Sequence, residues 1–215
     1  MSGRTTGVLM AAVVTASLVF MGCARAGAGD GTTQATSPTA GLGSSFMLPA
    51  GLIEDWDLDD GDQASVILFD SDGFVAHEYG PVTINGGSFP GLLITAPPEQ
   101  ALLTIDDLAN DLNAQVETSD PNARFQVFEE LNITGFFTTD AAYRETDDTL
   151  VSWTYVDRDV QITAEDDTTV QGVTMVVDMN LVAGWNQTLV IFDAIASTVT
   201  MTTGPEPAGA RWVMW

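Results

Sequence analysis

The chain has 215 residues, with 30 Asp and Glu against six Arg, no Lys, and a formal net charge of −24 at pH 7. Recognition of nucleic acid needs a basic footprint, and this charge repels phosphate, so DNA and RNA are excluded as partners. A hydrophobic content of 45% supports a folded core, and a single cysteine excludes an intramolecular disulfide.

Met1 to Gly7 is polar, with Arg4 its one charged side chain, and Val8 to Met21 is an apolar run interrupted by Thr15 and Ser17. That run falls short of the roughly 20 residues a helix needs to cross a bilayer core. A positive start, a short apolar middle and a small final residue predict a signal peptide over residues 1–22. At its end, Leu18-Val19-Phe20-Met21-Gly22-Cys23 resembles the bacterial lipoprotein box, with Phe20 where Leu is usual. The resemblance implies that Cys23 is lipidated and becomes the first residue of the mature chain. It implies export and a membrane partner reached through the N-terminal lipid. Several acyl chains anchor durably where one does not. Ala24 rather than Asp follows the cysteine, which by the same resemblance implies the outer membrane if the organism has one. Two other readings stay open: an ordinary cut after Ala26, served by Ala24-Arg25-Ala26, and a buried free cysteine.

Residues 23–45 are then the lipidated cysteine and a linker of Gly, Ala, Thr and Ser, whose coil would span roughly 25 Å. The folded part is expected over 46–215, starting at Phe46-Met47-Leu48-Pro49. A division into subdomains 46–100 and 120–215 is open. Ala64 to Phe69, the turn Asp70-Ser71-Asp72-Gly73 and Phe74 to Tyr79 predict a hairpin. Val82 to Ile84, Asn85-Gly86 and Ser88 to Ile94 predict a second, since Asn-Gly supplies the positive φ angles of a type I′ turn. Pro90 marks an edge or a bulge. One short helix is expected near 105–114. Ile105, Leu108 and Leu112 share a face there, and Thr104 with Asp107 resembles a capping box.

Strands follow at Arg124–Phe128, then at Val151, Trp153 and Tyr155, where alternation with polar neighbours predicts a half-buried strand. Val160–Thr163 comes next. Gly172–Leu181 and Trp185–Phe192 read as a hairpin about Ala183-Gly184. Val199–Thr202 and Arg211–Trp215 complete the set. The fold class is mainly β, an antiparallel sandwich or open barrel with that one helix.

Tyr155 to Ile162, carrying Asp157-Arg158-Asp159, and Leu181-Val182-Ala183-Gly184-Trp185-Asn186 resemble motifs of uncharacterised secreted bacterial β-sandwich lipoproteins. So does the aromatic close Gly209 to Trp215. The chain departs from them at Ala164, where Gly is frequent, and at Val182 and Ala183, where basic residues are. The resemblance implies no activity. Gly184-Trp185-Asn186 reads structurally, with Gly184 in the turn, Trp185 plugging one end of the fold, and Asn186 capping backbone groups.

Chemistry is thinly marked. His77 is the one histidine, and no Gly-x-Ser-x-Gly elbow accompanies it. Histidine-rich zinc sites are excluded. Asp55, Asp57, Asp59 and Asp62 lie in a dense acidic run. The first three have the alternating spacing of a calcium loop, and the pattern fails at Asp60 and Val66. Ca²⁺ is thus an open cofactor, set against a solvated acidic turn. Trp56, Trp153, Trp185, Trp212 and Trp215 raise the option of an aromatic sugar platform, against which Trp153 and Trp185 sit in apolar alternation and read as core, and of Trp212 and Trp215, three positions apart on a strand, one is expected to be buried. The acidity itself matches adaptation to salt, with cation or basic-partner binding as the alternative. The expectation is a non-enzymatic, lipid-anchored envelope domain that binds a protein or glycan partner or serves a structural role. A cation-dependent binding module and an acidic-pair glycoside hydrolase are the alternatives.

Overall fold

The computed structural model describes residues 41–57, 61–112, 115–135, 138–165 and 173–214. The expected signal peptide, Cys23, the linker up to residue 40, Asp59 and Trp215 lie outside them.

In chain order the strands are β1 (Ser45–Met47), β2 (Gly51–Glu54), β3 (Gln63–Phe69), β4 (Val75–Thr83), β5 (Ser88–Phe89), β6 (Leu93–Thr95) and β7 (Leu103–Thr104). After the helix α1 (Ile105–Leu112) come β8 (Val116–Thr118), β9 (Arg124–Phe128), β10 (Glu130–Thr134), β11 (Thr138–Thr146), β12 (Thr149–Val156) and β13 (Val160–Glu165). The last four are β14 (Thr174–Leu181), β15 (Gly184–Asp193), β16 (Thr198–Thr203) and β17 (Arg211–Met214). The protein is mainly β with one short α-helix, consistent with a sandwich or open sheet.

Several local expectations hold. The β3–β4 turn is built by Asp70, whose Oδ1 accepts the N–H groups of Asp72 and Phe74 at 3.0 and 2.9 Å, with Gly73 at φ +81°. The capping box is reciprocal: Thr104 N and Oγ1 both donate to Asp107 Oδ2 at 2.7 Å, and Asp107 N donates to Thr104 Oγ1 at 3.3 Å. Ile105 and Leu108 bury their side chains beneath the helix.

One long sheet runs β4-β3-β10-β11-β12-β15-β16-β14-β13-β8, with β17 added at β11, β2 at β17 and β9 at β12. Most pairings are antiparallel, but β14 lies parallel to β16 and β17 parallel to β2. The expected hairpin of β14 with β15 does not form. Both edges of β15 are already filled, by β12 along one side and by β16 along the other. The β15–β16 turn is the more local one, and Asp193 Oδ1 fixes it by accepting the N–H groups of Ile195 and Ala196, each at 2.9 Å.

The second expected hairpin is also altered. Its two central residues are Gly86 and Gly87, at φ +57° and +76°, and Asn85 and Ser88 exchange both backbone bonds at 3.1 Å. The type I′ turn has therefore shifted by one residue. Gly87 sits against the Trp56 ring, where an added Cβ would lie 3.1 Å from a ring carbon, so a side chain there would have to shift the ring and hold a positive φ that favours Gly. Beyond the turn, β5 pairs with β2 instead of extending the hairpin.

The linker, too, ends sooner than residue 45. Leu42 N donates to Trp185 O at 2.7 Å and Trp185 N to Gly43 O at 2.8 Å, so residues 42–43 are fastened to the body. Gly184 at φ +104° permits this approach, since a Cβ there would stand 2.6 Å from Gly43 O.

The side chains form two buried clusters, and β12 and β15 lie between them. Val151 and Trp153 face a first cluster that includes Leu48, Ile53, Phe89, Ile94, Leu131, Trp185 and Trp212. Leu150, Val156 and Val190 face a second, with Phe125, Leu108, Ile162, Met175 and Val177. The two clusters do not divide the chain between 100 and 120. The C-terminal β17 belongs to the first, and Leu103 already belongs to the second. β12 is consequently not half-buried, and its polar members Ser152 and Thr154 are buried as well. They are satisfied by one residue of the partner strand: Thr188 Oγ1 lies 2.6 Å from Ser152 Oγ and 3.0 Å from Thr154 Oγ1. Buried hydroxyls cost stability unless paired, and here the pairing is complete.

Thr188→Val keeps the volume and strips the shared hydroxyl. It is expected to cost about 1–3 kcal/mol by leaving two buried hydroxyls short of a partner. The triple variant Ser152→Ala, Thr154→Val, Thr188→Val should recover part of that loss. Urea denaturation of the single and triple variants checks this, and a triple variant no more stable than the single one contradicts it.

Candidate functional site

The aromatic residues define one place in the fold. Trp153, Trp185 and Trp212 are buried, and their rings meet around the first cluster. Phe128 stacks on Trp153 at 5.1 Å, Trp153 lies 6.0 Å from Trp212, and Tyr143 lies 4.9 Å from Trp212. Phe46 approaches both Trp153 and Trp185, at 6.2 and 5.7 Å. The indole N–H groups reach outward to backbone carbonyls: Trp185 Nε1 donates to Thr95 O at 2.9 Å and Trp212 Nε1 to Pro49 O at 2.8 Å. An aromatic sugar platform is therefore not what these three residues form. Their rings supply core area, and their donors fasten β6 and the β1–β2 connection.

The acidic run is organised by Trp56. Its Nε1 donates to Gly61 O at 3.3 Å, and Asp62 O accepts Ile84 N at 2.7 Å. Asp55 sits at φ +61°, and Asp55, Asp57 and Asp62 are exposed. Among the described residues no group of three or more His, Cys, Asp or Glu converges as a metal site. His77 is half-buried on β4 and packs edge-on against Tyr79 at 4.5 Å. Burial pushes the Tyr79 hydroxyl up to about 12, and it donates to Thr95 O at 2.8 Å. Tyr143 OH donates to Glu206 Oε1 at 2.7 Å, and burial followed by this carboxylate raises its pKa.

The Asp157-Arg158-Asp159 turn and the Leu181–Asn186 bend are joined in space. Asp157 Oδ1 accepts Arg124 N at 3.0 Å, and Arg158 forks onto Asp157 at 3.1 and 2.9 Å while reaching Asp120 at 3.4 Å. The Arg158 hydrogen bond holds the Asp157 carboxyl below its ordinary range. Asp120 is lowered chiefly by the Asn122 backbone N–H. Asp159 Oδ1 accepts Ala183 N at 2.8 Å. Asn186 then caps the bend: its Oδ1 accepts Val182 N at 3.0 Å, and its Nδ2 donates to Val182 O at 2.8 Å and Gly184 O at 3.0 Å. Asn186 holds backbone, as read from the sequence, and Asp157 and Asp159 do so as well.

Two features were not legible in the sequence. The first is a group of carboxyls where β9 passes into β10. The chain pairs with β12 over Phe125–Phe128 and with β11 over Glu130–Thr134, changing partner at Glu129. Desolvation, followed by the neighbouring Glu130 charge, raises Glu129 to about 7. Desolvation and then Asp140 raise Glu130 to about 7. Asp140 is itself raised by burial, against a bond from Asn132 Nδ2 at 3.3 Å. The available signal was Glu129-Glu130 set between the apolar runs of Phe125–Phe128 and Leu131–Ile133. The second is an open groove of about 390 Å³ across β8, β13 and β14, lined among others by Gln115, Glu117, Thr163, Val176 and Asp178. Its polar side chains offer both donors and acceptors to a ligand.

No family model, curated protein or solved structure matches the chain. No helix among the described residues is long and apolar enough to cross a membrane.

The Glu129–Glu130 pair makes a pH prediction. Unfolded, both carboxyls titrate near 4.5; folded, they keep their protons to about 7. Between those values the folded state binds more protons than the unfolded one, so stability falls as pH rises from about 4.5 to about 7. Glu129→Gln is expected to raise the melting temperature at pH 8 and leave it nearly unchanged at pH 5. Melting curves across that range check it, and equal shifts at both pH values refute it.

Proposed function

We propose that the protein is a lipid-anchored envelope domain whose β-rich body binds a protein or glycan partner without catalysing a reaction. The observation that carries this reading is Gly22-Cys23 at the end of an apolar run too short to span a bilayer, upstream of a body fastened from Leu42 onward. Lipidation at Cys23 joins the body to the membrane through residues 24–40. The side chains that drew attention in the sequence support the reading by their structural employment. Three tryptophans build a core, Asp157, Arg158 and Asp159 tie turns, and Asn186 caps a bend. The polar groove on β8, β13 and β14 is the surface on which the partner is sought first.

A second reading, an acidic-pair glycoside hydrolase, is favoured by one observation: Glu129 and Glu130 retain protons near neutral pH, as a general acid must. Turnover of chromogenic glycosides that disappears in Glu130→Gln would replace the binding reading with this one.

Fractionation tests the anchor. In the membrane pellet the native chain is expected to carry metabolically incorporated fatty acid and the Cys23→Ser chain none, because the uncleaved Cys23→Ser precursor keeps an apolar signal run that holds it in the pellet without lipid. A native chain without the fatty acid, or equal incorporation by the two chains, overturns the lipid anchor.

A further inference from the structure

The charge of this chain is unevenly placed. Residues 41–53 and 79–98 contain no charged side chain, although 17% of all residues are charged. Charge resumes directly outside them, at Glu54, Glu78 and Glu99. The fold lays the two stretches together, β1 on β6 and β2 on β5. Their inner side chains, Leu48, Ile53, Phe89 and Ile94, join the first buried cluster. Their outer side chains are uncharged: Met47, Leu52 and Leu93 are apolar, and Ser45, Ser88 and Thr95 are polar. Met47 and Leu93 stand opposite each other in register and are 61% and 54% exposed. Leu52 on β2 is 69% exposed, and Leu42, beside the first described residue, is 37% exposed. Exposed apolar residues are ordinary when scattered, but grouped on one uncharged face they mark a surface that something covers.

We propose that this uncharged face, centred on Met47 and Leu93, rests against the lipid bilayer that holds Cys23. The inference depends on the lipid-anchor reading given above. The point of attachment favours a bilayer over other occupants: Leu42 is fastened to Trp185, so the tether enters the body at this face. The coil expected from the composition of residues 24–40 spans roughly 23 Å, which keeps the body close to the membrane. Charge is compatible with this orientation: a leaflet with anionic lipids repels an acidic surface, and this face brings uncharged stretches toward it. Residues 179–192 and 194–205 are also uncharged, and it is the entry of the tether five residues before Met47 that selects this face over them. The same net charge of −24 on a second copy opposes self-association. Tethering supplies an effective concentration on the order of millimolar, so a few apolar side chains are enough to keep the face engaged.

The chain has one cysteine, and lipidation occupies it, so Leu93→Cys places a unique free thiol on the face. The full lipidated chain, labelled there with an environment-sensitive fluorophore, is placed in vesicles of phosphatidylcholine and phosphatidylglycerol. The emission is expected to be blue-shifted, several-fold less quenched by aqueous iodide, and more quenched by nitroxide-bearing lipid than the same label at Ile195→Cys. Ile195 is 87% exposed on the β15–β16 turn. Adding Met47→Glu to Leu93→Cys should return the label to water without changing the vesicle-bound fraction. Flotation of the same samples separates the two readings. Protein that does not float overturns the anchor and this inference with it. Protein that floats with the Leu93→Cys label as aqueous as the Ile195→Cys label overturns this inference alone. Shielding that grows with protein density and is insensitive to lipid nitroxide assigns the face to a second copy, and also overturns it.

Discussion

The constraint on which the structure depends is the pairing of β12 with β15. The two strands run in register from Thr149 opposite Ile191 to Val156 opposite Gly184, and both faces of the pair are buried over most of that length. A ladder buried on both faces needs a cover on each side. On one side the cover is β1, β2, β5, β6 and β17, drawn over Trp153 and Trp185. On the other it is α1, β13, β14 and β16, drawn over Leu150, Val156 and Val190. The pair also fixes where polar groups go. Thr188 takes the hydroxyls of Ser152 and Thr154, so the second cover closes over a layer with no unmet need for water there.

The aromatic residues follow from the same constraint. A ladder buried on both faces leaves space to fill above it, and large rings fill such space with few side chains. Trp153 takes the centre, and Trp185 and Trp212 take its flanks. Each flanking indole would bury an unpaired N–H if it stopped there. Instead Trp185 reaches Thr95 and Trp212 reaches Pro49, so the rings that fill the core also hold its lid. The lid is drawn from stretches free of charge, and residues 41–43 enter the body beside it. Entry point, lid and aromatic core thus form one continuous line from Leu42 to Trp153.

Much of this was legible where the chemistry is local. Asp70 with Gly73, Thr104 with Asp107, and Gly184 with Asn186 act within a few residues, so their turns, cap and bend could be read directly. The Gly86-Gly87 turn was displaced because Trp56, distant in sequence, packs on Gly87. The pairing of β14 with β16 in place of β15 was hidden because strand neighbours are settled by which edges remain open, and a sequence pattern carries no edge. The Glu129–Glu130 pair looked like any other acids because desolvation comes from strands far away in the chain.

The sequence by itself determined the mainly β character, the one capped helix, the absence of an intramolecular disulfide, and the lipoprotein-like motif at Cys23. Each rests on composition, on short-range periodicity or on a contiguous motif. Tertiary structure decided that Trp212 joins Trp153 and Trp185 in the core, that β12 is buried on both faces, and that the uncharged stretches 41–53 and 79–98 are laid together. Those outcomes depend on which distant segments meet, and alternation along a strand specifies that it has two faces without specifying what covers them.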